Sequence, residues 1–203
     1  MTKIIGIAGG SASGKTSILR RLKEELGDRV QTIAMDSYYR PFSEFSLEER
    51  KTFNYDHPNS FDIERFVSDV HKLREGQSVE VPVYDFVTYT RSSQTICVEP
   101  HPIILLEGLF VLYFSELLPL FDLKVFIQAD ADIRLIRRIF RDQKQRGRTL
   151  ESIVSQYLDT VKPMHDAFVA PSERNADIII PRGAENEVGV TLLIEHLWRM
   201  VEN

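Results

Sequence analysis

Residues 9–16 read Gly9-Gly10-Ser11-Ala12-Ser13-Gly14-Lys15-Thr16, which is the pattern G-x-x-x-x-G-K-[ST]. Glycines at these positions let successive backbone N–H groups turn inward with no Cβ in the way. Together with the positive end of a following helix, such N–H groups form a cavity for phosphates. Lys15 would then reach the β- and γ-phosphates, and the Thr16 hydroxyl would ligate Mg²⁺. Three further groups have chemistry to offer. Asp36 follows an apolar run and could accept a proton from a hydroxyl or help hold a metal. Glu107 ends Ile103-Ile104-Leu105-Leu106, where an acid in phosphate-loop proteins holds Mg²⁺ directly or through water. Arg134, Arg137, Arg138 and Arg141 recur at helical spacing, and Lys144, Arg146 and Arg148 follow them. Asp132 and Asp142 are the only acids within or beside that basic span. So many cations in an acidic chain call for a local anion, and the reading is an arginine-rich lid over phosphate, at residues 141–149.

Elements must hold these groups in place. An apolar run at 3–8 predicts a first strand, and apolar spacing predicts a helix over 14–26. A second strand at 30–35 places Asp36 at its carboxyl end, where ligands bind in open α/β sheets. A short helix is expected near 46–51, and a helix over 62–74 capped by Asp62 and stopped by Gly76. His57, beside Pro58, reads as a turn residue. Alternation over 78–98 predicts a β-hairpin outside the main sheet, its turn near Arg91-Ser92-Ser93. Tyr84, Phe86 and Tyr89 on it could line a slot for a flat ring, or could simply be good strand formers. Strands at 102–108, 123–127 and 176–181 follow, with helices over 130–144, from Thr149 to about 161, from Pro163, and over 186–201. Every strand is apolar. The order predicts an α/β fold, a parallel sheet flanked by helices in three layers, carrying the inserted hairpin and the lid. All of residues 1–203 read as one domain.

Composition limits the alternatives. The chain has 203 residues and a formal net charge of −5, which argues against a general nucleic-acid binder. Cys97 is the one cysteine, so no intrachain disulfide or thiolate cluster can form, and its alternating apolar setting suggests half burial. The first strand begins almost at once, and no apolar run approaches the ~20 residues of a membrane span. A cytoplasmic location is the expectation.

The residues around each motif resemble the uridine–cytidine kinase family of phosphate-loop folds. The shared stretches are residues 9–16, Met-Asp-Ser-Tyr-Tyr at 35–39, Asn-Tyr-Asp-His-Pro at 54–58 and Pro-Val-Tyr-Asp-Phe at 82–86. Leu-Glu-Gly at 106–108, Arg-Gly-Arg at 146–148, Gln-Tyr at 156–157, Val-Lys-Pro at 161–163 and Ala-Asp-Ile-Ile-Ile-Pro-Arg-Gly at 176–183 complete the set. The resemblance implies transfer of the γ-phosphoryl of ATP or GTP to the 5′-hydroxyl of uridine or cytidine, in pyrimidine salvage. It implies Asp36 as general base, with Lys15, Arg141 and Arg146 at the transferring phosphate. Gly9, Gly10, Ser11, Ala12, Ser13, Gly14, Lys15, Thr16 and Ser17 would bind the donor, with Arg148 from the lid. Tyr39, Tyr55, Tyr84, Phe86 and Tyr89 would lie around the nucleoside, and Asp56, Arg138 and Gln156 on its ribose. Thr16, Asp36 and Glu107 would complete the Mg²⁺ environment. The family often has Phe at Tyr55 and His at Tyr89. Tyr89 faces the pyrimidine 4-position by this resemblance, and a phenol there is expected to favour cytidine. A homotetramer is also implied. Another small-alcohol kinase of the same fold and a nucleotide-dependent switch are the competing readings.

Overall fold

The computed structural model describes residues 2–202. Five strands form one parallel sheet: β1 (Lys3–Ala8), β2 (Val30–Ala34), β5 (Ile103–Gly108), β6 (Leu123–Ile127) and β7 (Ile178–Ile180), in the order β2-β5-β1-β6-β7. Both faces are buried. On β1, Ile4 and Ala8 enter one core, with Met35, Tyr38, Phe66, Leu106 and Phe110. Ile5 and Ile7 enter the other, with Ile18, Leu22, Val125 and Leu193. Side chains alternate along a strand, so strands apolar at every position require a helical layer on each side. The second core is closed by α1 (Lys15–Leu26) and α8 (Glu187–Glu202).

The first core is closed in part by α3 (Ile63–Arg74), whose Asp62 cap accepts the Arg65 N–H at 3.3 Å. The short α2 (Leu47–Arg50) begins in a capping box built by Ser46 and Glu49. The hairpin is a separate two-stranded sheet, β3 (Val79–Asp85) with β4 (Thr90–Val98). Its turn lies at residues 86–89, five residues before the expected position. The Asp85 carboxylate accepts the Val87 N–H at 2.8 Å and so nucleates the turn there. Arg91, expected at the tip, is a pin instead: it donates to Asp62 at 3.0 Å and to the Tyr38 carbonyl at 3.2 Å. Cys97 on β4 is exposed rather than half-buried.

The arginine-rich helix α4 (Ala131–Arg146) ends at Gly147, whose φ of 62° lies in the left-handed region. Thr149 caps α5 (Leu150–Gln156). Pro163 does not open a new helix. The run continues through wide turns at Tyr157–Val161 and His165–Val169, joined by α6 (Lys162–Met164) and followed by α7 (Ala170–Ser172). Pro163 and Pro171 each follow one of these segments. A wider turn tolerates the N–H that proline lacks. Among the described residues no helix is long and apolar enough to cross a membrane.

Phe66 joins α3 to the sheet, 1% exposed and 4.5 Å from the Tyr38 ring. Phe66→Ala should lower stability by about 3–5 kcal/mol in urea unfolding. A loss below about 1 kcal/mol would show that this face is not packed as described.

Candidate active site

The sheet register assembles the site. β5 lies between β1 and β2, pairing Glu107 with Ile7 on one side and Ala34 on the other. Glu107 is thereby flanked by the loop after β1 and by Asp36, just past the end of β2. The loop closes tightly. Gly9 has φ 150°, and a Cβ there would meet the Ile127 carbonyl oxygen at 2.4 Å. A Cβ on Gly10 would strike Arg134 Nη1 at 2.7 Å. α1 starts at Gly14 with no side-chain cap, which leaves its first N–H groups for an anion. Lys15 Nζ donates to the Gly9 and Gly10 carbonyls at 2.8 and 3.2 Å.

Charges in this crevice are coupled. Burial lowers the Lys15 pKa, and the Glu107 and Asp36 carboxylates raise it again. Asp36 is pushed up to about 6, first by burial and then by the neighbouring Glu107, with Lys15 opposing. Arg141 acts on Lys15, and Arg146 on Asp36, so these arginines reach the same space. No group of three or more His, Cys, Asp or Glu able to hold a metal occurs among the described residues. Two carboxylates close enough for Glu107 to raise Asp36, next to the loop that carries Thr16, fit a hard cation completed by phosphate oxygens and water.

A cavity of about 360 Å³ opens beside this crevice. Phe53, Tyr55, Asp56, Tyr89, Gln156 and Thr160 are among its walls. Its polar side is a connected network. Thr160 donates to Asp56 at 3.0 Å; Arg138 donates to Gln156 at 2.9 Å and to the Ser11 hydroxyl at 3.0 Å. Burial raises the Asp56 pKa, while Arg138 holds it down. Arg148 donates to Gln156 and to Ser152, two residues that line the cavity. Its chain follows Gly147 back toward α5, which carries it there. The aromatic side is equally connected. The Tyr89 ring lies 5.5 Å from Tyr55, and Tyr39 lies 5.1 Å from Tyr84. Tyr84 and Phe86 pack behind these rings, 5.2 Å apart, with Phe86 59% exposed. The Tyr55 and Tyr84 hydroxyls are buried near each other without a complete hydrogen bond.

A model of the phosphoribulokinase / uridine kinase family matches residues 4–189. The chain belongs to that family. A uridine kinase of Staphylococcus carnosus is 45% identical over 203 residues, 100% of this chain and 98% of that one. One from a Geobacillus strain is 47% identical over 200 residues, covering 98% and 95%. Among solved structures, the phosphoribulokinase of Rhodobacter spheroides shares the fold, with a TM-score of 0.67 and 17% identity over 89% of this chain and 70% of that one. As a member of the family the protein is a kinase, an enzyme that transfers phosphate.

Sequence reasoning missed Thr160 and His165, and the particular contacts made by Ser11 and Arg134. Thr160 joins Asp56 to Gln156, and Ser11 joins the loop to Arg138. Arg134 is buried, donates to the Ala129 carbonyl at 3.1 Å and lies against Gly10. His165 also lies against Gly10, its pKa lowered to about 4 by burial and by Arg134, so it is neutral near pH 7. Only the helical register of Arg134 with Arg138 was visible as a signal. His57, by contrast, is the turn residue expected: its Nδ1 accepts the Asn59 N–H at 3.1 Å.

The raised Asp36 pKa has a stability consequence. Without metal or nucleotide, the folded chain holds a proton that the unfolded chain releases near 3.8. Folded stability therefore falls as pH rises from about 4 through about 6. Asp36→Asn, which cannot ionise, should be more stable than wild type at pH 7.5 by on the order of 2 kcal/mol, with no difference below pH 4. Urea unfolding in a chelator checks this, and a less stable variant at pH 7.5 would contradict it.

Proposed function

We propose that the enzyme transfers the γ-phosphoryl of ATP, or of GTP as alternative donor, to the 5′-hydroxyl of cytidine or uridine, with cytidine preferred. The observation that carries this reading is the cavity beside the phosphate loop. One wall is aromatic and suits a planar base. The other is polar, with Asp56, Gln156 and Thr160 on it and Arg138 and Arg148 bonded to Gln156 behind it, and so supplies acceptors and donors suited to ribose hydroxyls. The relatives named uridine kinase support the same substrate class.

In this reading the donor triphosphate lies on the loop of residues 9–16 and Ser17, against backbone N–H groups at the start of α1. Lys15 leaves the Gly9 and Gly10 carbonyls for the β- and γ-phosphates. Thr16, Asp36 and Glu107 would hold Mg²⁺, which neutralises phosphate charge when bound. Asp36 takes the proton from the 5′-hydroxyl. Its raised pKa keeps it closer to the working pH than an ordinary aspartate, as a proton acceptor in a loose transition state requires. Arg141 and Arg146 clamp the transferring group from the lid. Arg148 contacts the acceptor side instead of the donor. Tyr39, Tyr84 and Phe86 support the base from behind Tyr55 and Tyr89. All of this lies in one domain, with the hairpin and lid as insertions. We read the enzyme as a cytoplasmic homotetramer serving pyrimidine salvage.

Tyr89 carries the base preference. It stands at the hairpin turn with φ 53°, a conformation uncommon for a bulky residue, and lines the cavity. Its phenol reaches farther than an imidazole and places one oxygen at a fixed site. A site built around one polar group rejects the analogue that mispairs with it.

ADP release should be measured with MgATP and, in turn, cytidine, uridine, adenosine, ribulose 5-phosphate and no acceptor. Turnover with cytidine is expected, with kcat/KM at least about tenfold above uridine, and Tyr89→His should narrow that ratio. Equal values for the two pyrimidines would remove the role of Tyr89. Turnover of the sugar phosphate alone would overturn the nucleoside reading.

A further inference from the structure

Asp142 lies in the last turns of α4 and is 0% exposed. A carboxylate near the carboxyl end of a helix opposes the helix dipole, and a buried one needs partners. The helix itself therefore gives no reason for an acid here. Its partners do. Arg141 Nε donates to Oδ1 at 2.8 Å, Arg146 Nε lies 3.7 Å from the same oxygen, and Arg138 Nε lies 3.6 Å from Oδ2. Three guanidiniums converge on one anion. The Asp142 carbonyl also accepts the Arg148 N–H at 3.2 Å, across the Gly147 turn.

The geometry of Arg138 shows what this arrangement achieves. Its Nε faces Asp142, and both atoms are buried without another partner. That contact is held by charge rather than by a hydrogen bond. It leaves Nη1 for Ser11 and Nη2 for Gln156, so one guanidinium spans the phosphate loop and the acceptor wall. Without the carboxylate, three cations within nine residues would repel one another, and Arg138 would be left buried beside like charge. Its pKa is already lowered by burial, with Asp142 the chief group raising it.

We propose that Asp142 is a positioning residue: its carboxylate aims Arg138, Arg141 and Arg146 before either substrate arrives. This rests on the reading of those arginines as substrate and phosphate contacts. A purely structural Asp142 would hold α4 together and do nothing to the arginines that substrates could sense.

Asp142→Asn keeps the shape and removes the charge. With MgATP and cytidine it should lower kcat/KM by about 100-fold, the size of a ~1 Å misplacement, through both a raised cytidine KM and a lowered kcat. In an Arg141→Ala background the same change should lower it by only about tenfold, because the two residues act through one contact. Equal losses in both backgrounds would overturn the proposal. So would a kcat that falls only with the folded fraction while KM stays put.

A second measurement uses wild-type enzyme alone and needs no turnover. In ligand-free protein, the Arg141 Nε–H resonance should exchange with solvent at least about tenfold more slowly than that of exposed Arg20. Equal exchange would overturn the proposal even if Asp142→Asn does not fold. If wild type turns over neither pyrimidine nucleoside, the functional reading falls while the exchange measurement still decides the role of Asp142.

Discussion

The Lys15 ammonium lies at the floor of the crevice, bonded to two carbonyls of its own loop and facing Glu107 and Asp36. Burial pushes its pKa down, and the two carboxylates push it back up. The compensation is mutual, since Lys15 opposes the upward push that burial and Glu107 exert on Asp36. Glu107 lies on β5, Asp36 just past β2, and Lys15 beyond the loop that follows β1. Only the register that sets β5 between β1 and β2 brings them together. The strand order is therefore a requirement of the charge arrangement, and the two apolar cores on either side of the sheet hold that order in place.

A second charge arrangement faces the first across the crevice. Here the signs are reversed: one buried carboxylate, Asp142, is surrounded by Arg138, Arg141 and Arg146. Arg138 joins the two through Ser11. The phosphate loop and the cavity wall at Gln156 are thus parts of one network. A group that moves on either side changes the electrostatics of the other.

Much of this was legible in the sequence where the cause is local. The glycine spacing of residues 9–16 states its own loop, and runs of apolar residues at every position state buried parallel strands. Asp36 and Glu107 could be singled out because each follows such a run. The hairpin turn was misplaced for a physical reason. Phe86, Val87 and Tyr89 are strand formers, while the Asp85 carboxylate, accepting from the Val87 N–H and the Thr88 hydroxyl, decides the turn, and Arg91 is drawn away to Asp62. Cys97 was misjudged because alternation predicts which face a residue shares, not whether anything covers that face. The basic helix α4 showed the deepest limit. A helical pattern displays a surplus of arginines, but it does not reveal that the one acid among them is buried at their centre. Likewise Thr160 is an unremarked threonine until the chain folds and sets it between Asp56 and Gln156.

The central claim is that Asp36, raised by burial and by Glu107, removes the proton from the acceptor hydroxyl while the surrounding charges hold the phosphates. The most direct test is the single-turnover rate of Asp36→Asn with saturating MgATP and cytidine, compared with wild type. The account predicts a rate lower by about 10²–10⁴-fold, the usual worth of general-base assistance, with cytidine binding retained. A loss below about tenfold would contradict it and leave the crevice as a phosphate-binding scaffold whose base lies elsewhere.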